Sequence, residues 1–179
     1  MQPQAHFKQG FWPRFARLYL RVVGWELEGT LPDIPKFVLI AAPHTSSWDV
    51  PVMLMVRLAF AVRLSWMGKA ELFRPPFNGF FRMLGGIPVY RDRRNNMVQQ
   101  MVEHFNDSEY LYLAIAPEGS RERREHWKSG FYHIAMGAHV PLVFGFIDYK
   151  RKTSGIGPTF MPTTGPISVT LMFPVGCWR

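Results

Sequence analysis

Cysteine is nearly absent from this chain. Its 179 residues include one, Cys177, so no intramolecular disulfide framework braces the fold, and a reducing compartment suits it. Long apolar runs are missing too. The longest candidate, residues 50–62, is too short to span a bilayer and carries Arg57 inside it. The N-terminus lacks the uninterrupted apolar core and small-residue cleavage site of a signal peptide. Together these absences lead us to expect a soluble or peripheral protein, not an integral one. Acidic residues are the scarcer charge: 13 Asp and Glu stand against 21 Lys and Arg, for a formal charge of +8. That balance favours an acidic partner such as nucleic acid, anionic lipid or an acidic carrier protein. Zinc-finger spacing, an RNP-like aromatic strand and a Lys/Arg tract are all missing, which sets nucleic acid behind the other two. There is no internal repeat, low-complexity tract or linker, and the length suits one domain with a sizeable core.

What is present begins with an amphipathic, basic stretch at residues 7–23. Phe11, Phe15, Leu18, Tyr19 and Val22 recur at helical spacing, with Lys8, Arg14, Arg17 and Arg21 between them. Pro13 suits a first turn, so the helix should start near Trp12. Such a helix can lie in a membrane interface or pack on the domain's own core, and the sequence favours neither. Beyond a proline-bounded turn, strand and helix signals alternate. Strands are expected at 37–42, 63–67, 87–90, 110–116, 141–149 and 167–173. Helices are expected at 52–60, 70–84 (interrupted by Pro75-Pro76), 95–105 and 130–138. That alternation predicts an α/β fold, a mixed, largely parallel sheet flanked by helices.

Chemistry-bearing residues cluster just after these strands. Pro43-His44-Thr45-Ser46-Ser47-Trp48-Asp49 follows the first core strand, placing a histidine and an aspartate on a strand-to-helix turn. An imidazole oriented by a carboxylate is a general base near neutral pH. No serine or cysteine nucleophile stands at a recognisable elbow, so the hydroxyl it activates is best read as the substrate's. Gly85-Gly86-Ile87-Pro88-Val89-Tyr90-Arg91 comes next. Its glycine pair permits a tight turn and close approach, and its arginine suits phosphate or carboxylate. Ala116-Pro117-Glu118-Gly119-Ser120-Arg121 ends another apolar strand with a carboxylate, a hydroxyl and a second arginine. Val140-Pro141-Leu142-Val143 opens a buried strand. Ligands of open α/β sheets gather outside strand ends, so the first three motifs can share one cleft.

Any one of these motifs is weak evidence. In this order, from His44 to Val143, they resemble the glycerolipid acyltransferase superfamily, most nearly the bacterial 1-acylglycerol-3-phosphate (PlsC-like) type. The resemblance implies an O-acyltransferase moving a fatty acyl group from acyl-CoA or acyl carrier protein to a lysophospholipid-like hydroxyl. It implies His44 as general base and Asp49 as the group that orients it. It implies Arg91 on an acceptor phosphate, and Glu118, Gly119, Ser120 and Arg121 lining the acceptor pocket. Pro141 would be structural or shape the acyl side. No metal or prosthetic group is implied. The expected setting is cytoplasmic and peripheral, on the inner face of a membrane, with residues 1–30 as an amphipathic segment and 31–179 as the catalytic domain. Ser120 stands where the family commonly has threonine, and Tyr90 precedes the second-motif arginine with no assigned role.

Other readings of the same residues remain. A thioesterase could use His44 and Asp49 with water, and a non-catalytic basic module could bind lipid or nucleic acid. The spacings of seven and six between His126, His133 and His139 do not place neighbours on one helical face, and no carboxylate pair accompanies them, so they do not read as a metal site. Arg93, Arg94, Arg123 and Arg124 read as surface charge. Met53, Met55, Phe77, Phe80 and Phe81 are candidates for an acyl groove, with core packing the simpler role for most of them.

Overall fold

A computed structural model of the chain describes residues 10–42, 49–90, 96–118 and 127–163. Its elements run α1 (Phe11–Val22), β1 (Glu26–Glu28), β2 (Lys36–Ala41), α2 (Asp49–Ala59) and β3 (Leu64–Lys69). A 3₁₀ turn (Ala70–Phe73), α3 (Asn78–Met83), β4 (Gly86–Val89), α4 (Asn96–Asp107) and β5 (Leu111–Ile115) follow. The last are α5 (Gly130–Gly137), β6 (Leu142–Asp148) and β7 (Thr153–Phe160). The seven strands form one sheet in the order β1-β7-β6-β2-β5-β3-β4. Every neighbouring pair is parallel except β6 and β7. The fold is therefore the α/β arrangement that the alternating pattern predicts. The strand expected at 167–173 lies outside the described residues.

Side-chain alternation sorts the two faces of the sheet. Val38, Ile40, Leu113, Leu142 and Phe144 pack with Met101 and Phe105 of α4 and Phe131 and Ile134 of α5. Phe37, Leu39, Tyr112 and Val143 face the other way, toward Phe60 and Val62 beyond α2. Phe37 and Tyr112 stack there with ring centroids 4.1 Å apart. Leu64 joins that second face, and Trp66, two residues on, shares it. Trp66, Phe73 and Phe81 form an aromatic cluster that pins α3 down on this side. Thus α2 and α3 cover one face while α4 and α5 cover the other.

α1 packs on α2, with Ala16, Leu20 and Ala59 in its seam, and Arg17 Nε donates to the Ala59 carbonyl at 2.9 Å. The small residues allow close approach, and they lie opposite the aromatic stripe. Phe11, Trp12, Phe15, Leu18, Tyr19 and Val22 are all exposed. The strongest periodic stripe of the helix thus faces away from the core. Pro75-Pro76 separates the 3₁₀ turn from α3, as the sequence anticipates. Gly79, inside α3, has nothing within 4 Å of where a Cβ would stand. Gly79→Ala is accordingly expected to stabilise the protein by about 0.5–1 kcal/mol, seen as a higher urea midpoint.

Candidate active site

The C-terminal ends of β2, β5, β3 and β4 lie along one edge of the sheet, because these neighbours are all parallel. The first three motifs follow those ends. Ile40 of β2 is in register with Ile115 of β5, so the chain toward His44 and the chain toward Glu118 leave from adjacent strands. The helix after β2 lies on one face of the sheet and the helix after β5 on the other. A crevice opens at such a switch point, and in open α/β sheets that is where ligands bind. β4 is three strands from β2, about 14 Å at the usual strand spacing. The second motif therefore starts farther from the switch point than the third.

His44, Arg91, Gly119, Ser120 and Arg121 lie outside the described residues. Asp49 is the first residue of α2. Glu118 is 7% exposed, a buried carboxylate three residues beyond β5. Beside it, Pro117 is among the most deeply buried residues, and its carbonyl accepts a hydrogen bond from the Lys128 amide at 2.9 Å. That bond ties together the two ends of the segment carrying the third motif. Tyr90 is exposed, yet its backbone is held from both sides: its N–H donates to Gln100 Oε1 and its carbonyl accepts from Gln100 Nε2, each at 3.4 Å. Gln100 of α4 thus fixes the chain immediately before Arg91, a positioning role that no motif signals.

The glycine pair of the second motif meets two distinct demands. Gly85 has φ +85°, and a Cβ there would stand 2.3 Å from the Leu64 carbonyl oxygen. Gly86 would bring one within 2.8 Å of the Phe73 ring and of the Phe81 carbonyl. Close approach, first of β4 to β3 and then of β4 to the aromatic cluster, requires both. The fourth motif plays a different part. Pro141 precedes β6, and its carbonyl accepts from the Val38 amide at 3.0 Å, at the edge of the sheet opposite the first three motifs.

An apolar pocket of about 570 Å³, open solvent at its mouth included, lies between α2 and the sheet. Ala41 and Ala42 at the end of β2, Met53 and Val56 of α2, Gly145 of β6 and Ile156 of β7 contribute to its walls. Arg57 and Ser154 are the polar residues in the lining. Ser154 Oγ donates to the Phe146 carbonyl at 2.8 Å. Arg57 donates from Nε to Val62 and from Nη1 to Leu84, at 3.3 and 3.0 Å. Burial, and then the charge of Arg63, hold the Arg57 guanidinium below its ordinary pKa. Of the groove residues expected from sequence, Met53 lines this pocket. Met55 packs instead in the seam between α1 and α2, Phe81 in the aromatic cluster, and Phe77 and Phe80 are exposed. The lining from β6 and β7 carries no motif and was invisible in sequence.

These features define an α/β domain with a switch-point cleft and an apolar pocket opening beside it. The chain belongs to the acyltransferase family, whose sequence model matches residues 28–144, and it is an enzyme of the acyl-transferring type. None of the curated protein sequences matches it. Among solved structures it is similar to the crystal structure of the 1-acyl-sn-glycerophosphate (LPA) acyltransferase, PlsC, from Thermotoga maritima. The TM-score is 0.59 at 20% identity, covering 89% of this chain and 71% of that one. At that identity the likeness speaks to the fold.

Proposed function

We propose that this acyltransferase moves a fatty acyl group from acyl-CoA or acyl carrier protein to the hydroxyl of a lysophospholipid-like acceptor, of the 1-acylglycerol-3-phosphate type. One observation carries the reading. The apolar pocket borders the His-x4-Asp segment from both sides, through Ala41 and Ala42 before it and Met53 after it. His44 comes two residues after Ala42, and Met53 is one helical turn beyond Asp49. An acyl chain in that pocket would bring its thioester to the base.

In this reading the neutral His44 imidazole accepts the proton of the acceptor hydroxyl as its oxygen attacks the thioester carbonyl. Asp49 orients the ring and stabilises the imidazolium. The tetrahedral intermediate collapses with loss of the thiolate, which takes the proton back from His44, leaving an ester and a free thiol. The thioester is already activated, so positioning and a base suffice without a covalent enzyme intermediate. Arg91 and Arg121 anchor the acceptor phosphate, and Glu118, Gly119 and Ser120 line the head-group side. The acceptor and donor lie at a lipid surface, which the exposed aromatic side of α1 contacts with Arg14, Arg17 and Arg21 beside it.

The test is acyl transfer by the purified protein in detergent or liposomes. Labelled acyl-CoA and acyl carrier protein are offered against a panel of lysolipids. Diacyl product that requires a lysolipid phosphate supports the reading, whereas free fatty acid whatever the acceptor would show a thioesterase. Filling the pocket gives a second check. Met53→Trp is expected to lower kcat/KM for long-chain donors about 10-fold or more, as steric overpacking of 1–3 kcal/mol implies, while short-chain donors change little.

A further inference from the structure

The two sides of the sheet present very different surfaces to solvent. α4 and α5 contribute none of the large apolar side chains exposed among the described residues, and α4 turns Glu103 and Asp107 outward. The helices on the other face do the opposite. Besides the stripe on α1, Leu54 of α2 is exposed, and so are Leu72, Phe77, Phe80 and Met83 of the 3₁₀ turn, its following linker and α3. Phe77 is 60% and Met83 72% exposed, although α3 is well anchored through Phe81. α1 and α3 carry no acidic residue, and Glu71 is the one carboxylate in residues 70–85. Arg74 and Arg82 flank the α3 patch as Arg14, Arg17 and Arg21 flank α1.

Both patches are tied to the same end of α2. Arg17 of α1 donates to the carbonyl of Ala59, and Arg57, half a turn earlier, donates to the carbonyl of Leu84 just past α3. The apolar side chains are thus spread along one layer of three helices and are not gathered into a groove. A broad occupant with an apolar interior and negative surface charge matches that layout.

We propose that α3, with the turn before it, is a second membrane-contacting element. On this view the whole helical layer over this face of the sheet, and not α1 alone, rests on an anionic lipid surface. This rests on the lipid-surface reading above. It gives α2, whose inner side walls the pocket, a place between the sheet and the bilayer, so that an acyl chain reaches the pocket without crossing bulk water.

The experiment uses the full chain with Cys177→Ser and a single cysteine labelled with the polarity-sensitive dye NBD. The probes are Leu18→Cys on α1, Phe80→Cys on α3, and Glu103→Cys on α4 as the control face. With phosphatidylglycerol/phosphatidylethanolamine vesicles, emission should shift blue and strengthen at positions 18 and 80, and stay unchanged at 103. Brominated lipids should quench the first two. The unlabelled variant Phe77→Ser/Phe80→Ser/Met83→Ser should partition at least about 10-fold less onto the same vesicles, with an unchanged thermal unfolding profile. A response at 18 without one at 80 would overturn the proposal and leave α1 as the contact. A response at 80 to acyl carrier protein, and none to vesicles, would reassign the patch to carrier docking. Silence at both positions would overturn the lipid-surface reading itself.

Discussion

His44→Ala is expected to reduce acyl transfer by about 10²- to 10⁴-fold in kcat/KM, or roughly 3–5 kcal/mol of transition-state stabilisation. The magnitude follows from what remains after the imidazole is gone. On the proposed reading the pocket and the phosphate contacts would still hold donor and acceptor together, so proximity would be kept. On the proposed mechanism, what is lost is the group that takes the proton of the attacking hydroxyl, whose own acidity is far too low for water to replace the base efficiently. Asp49→Asn should cost less, because the imidazole stays and only its orientation and charge stabilisation suffer. Both effects belong in kcat more than in KM. The check is steady-state transfer with acyl-CoA and the best lysolipid, alongside unfolding midpoints and vesicle binding, both expected to match wild type. A His44→Ala enzyme within a few-fold of wild type would remove the base from the mechanism.

The parts of the fold legible in sequence are those where one segment carries its own signal. β2, β5 and β6 are apolar runs, each preceded within a few residues by Pro or Ser, and each lies within a residue or two of its expected place. β7 was missed because Gly155, Gly157 and Pro158 interrupt any strand pattern. The pairing that dictates it is tertiary: β7 runs antiparallel to β6 and accepts β1 on its other side. β1 was missed for the same reason, being three residues, Glu26–Glu28, whose neighbour alone makes them a strand. A Cβ at Gly155 would stand 2.1 Å from the Glu28 carbonyl oxygen, so the residue that hides β7 from a propensity reading is the one that admits β1. The orientation of α1 was equally beyond a periodicity argument. Its inward face is set by Ala59 on a partner helix, and not by the largest side chains of α1 itself. At the site, motifs name residues at strand ends, while the pocket is a property of the space between α2 and the sheet.

Gly85→Ala should destabilise the protein by about 2–5 kcal/mol, combining a left-handed backbone penalty of about 1–2 with overpacking of about 1–3. The site leaves no room for relief. At φ +85° the new methyl would stand 2.3 Å from the Leu64 carbonyl oxygen, and backbone, unlike a side-chain tip, cannot swing aside. Moving the turn would also disturb the hydrogen bond from the Trp66 amide to the Gly85 carbonyl, and those from Trp66 Nε1 and Arg57 Nη1 to Leu84. Those bonds link β3, β4, α2 and α3. For a chain of this size the loss corresponds to a fall in Tm of roughly 5–15 °C, measurable by calorimetry and by a shift of the urea midpoint at constant slope. Gly79→Ala serves as the internal comparison, since the same substitution six residues earlier meets open space and should move stability the other way. Among the described residues β4 is the edge strand that carries the chain to Arg91, so, if Arg91 holds the acceptor phosphate as proposed, Gly85→Ala should also raise KM for the phosphorylated acceptor, even at temperatures where the protein stays folded. A variant with wild-type stability would mean that the turn adopts a right-handed conformation, and that β4 meets β3 in a different register.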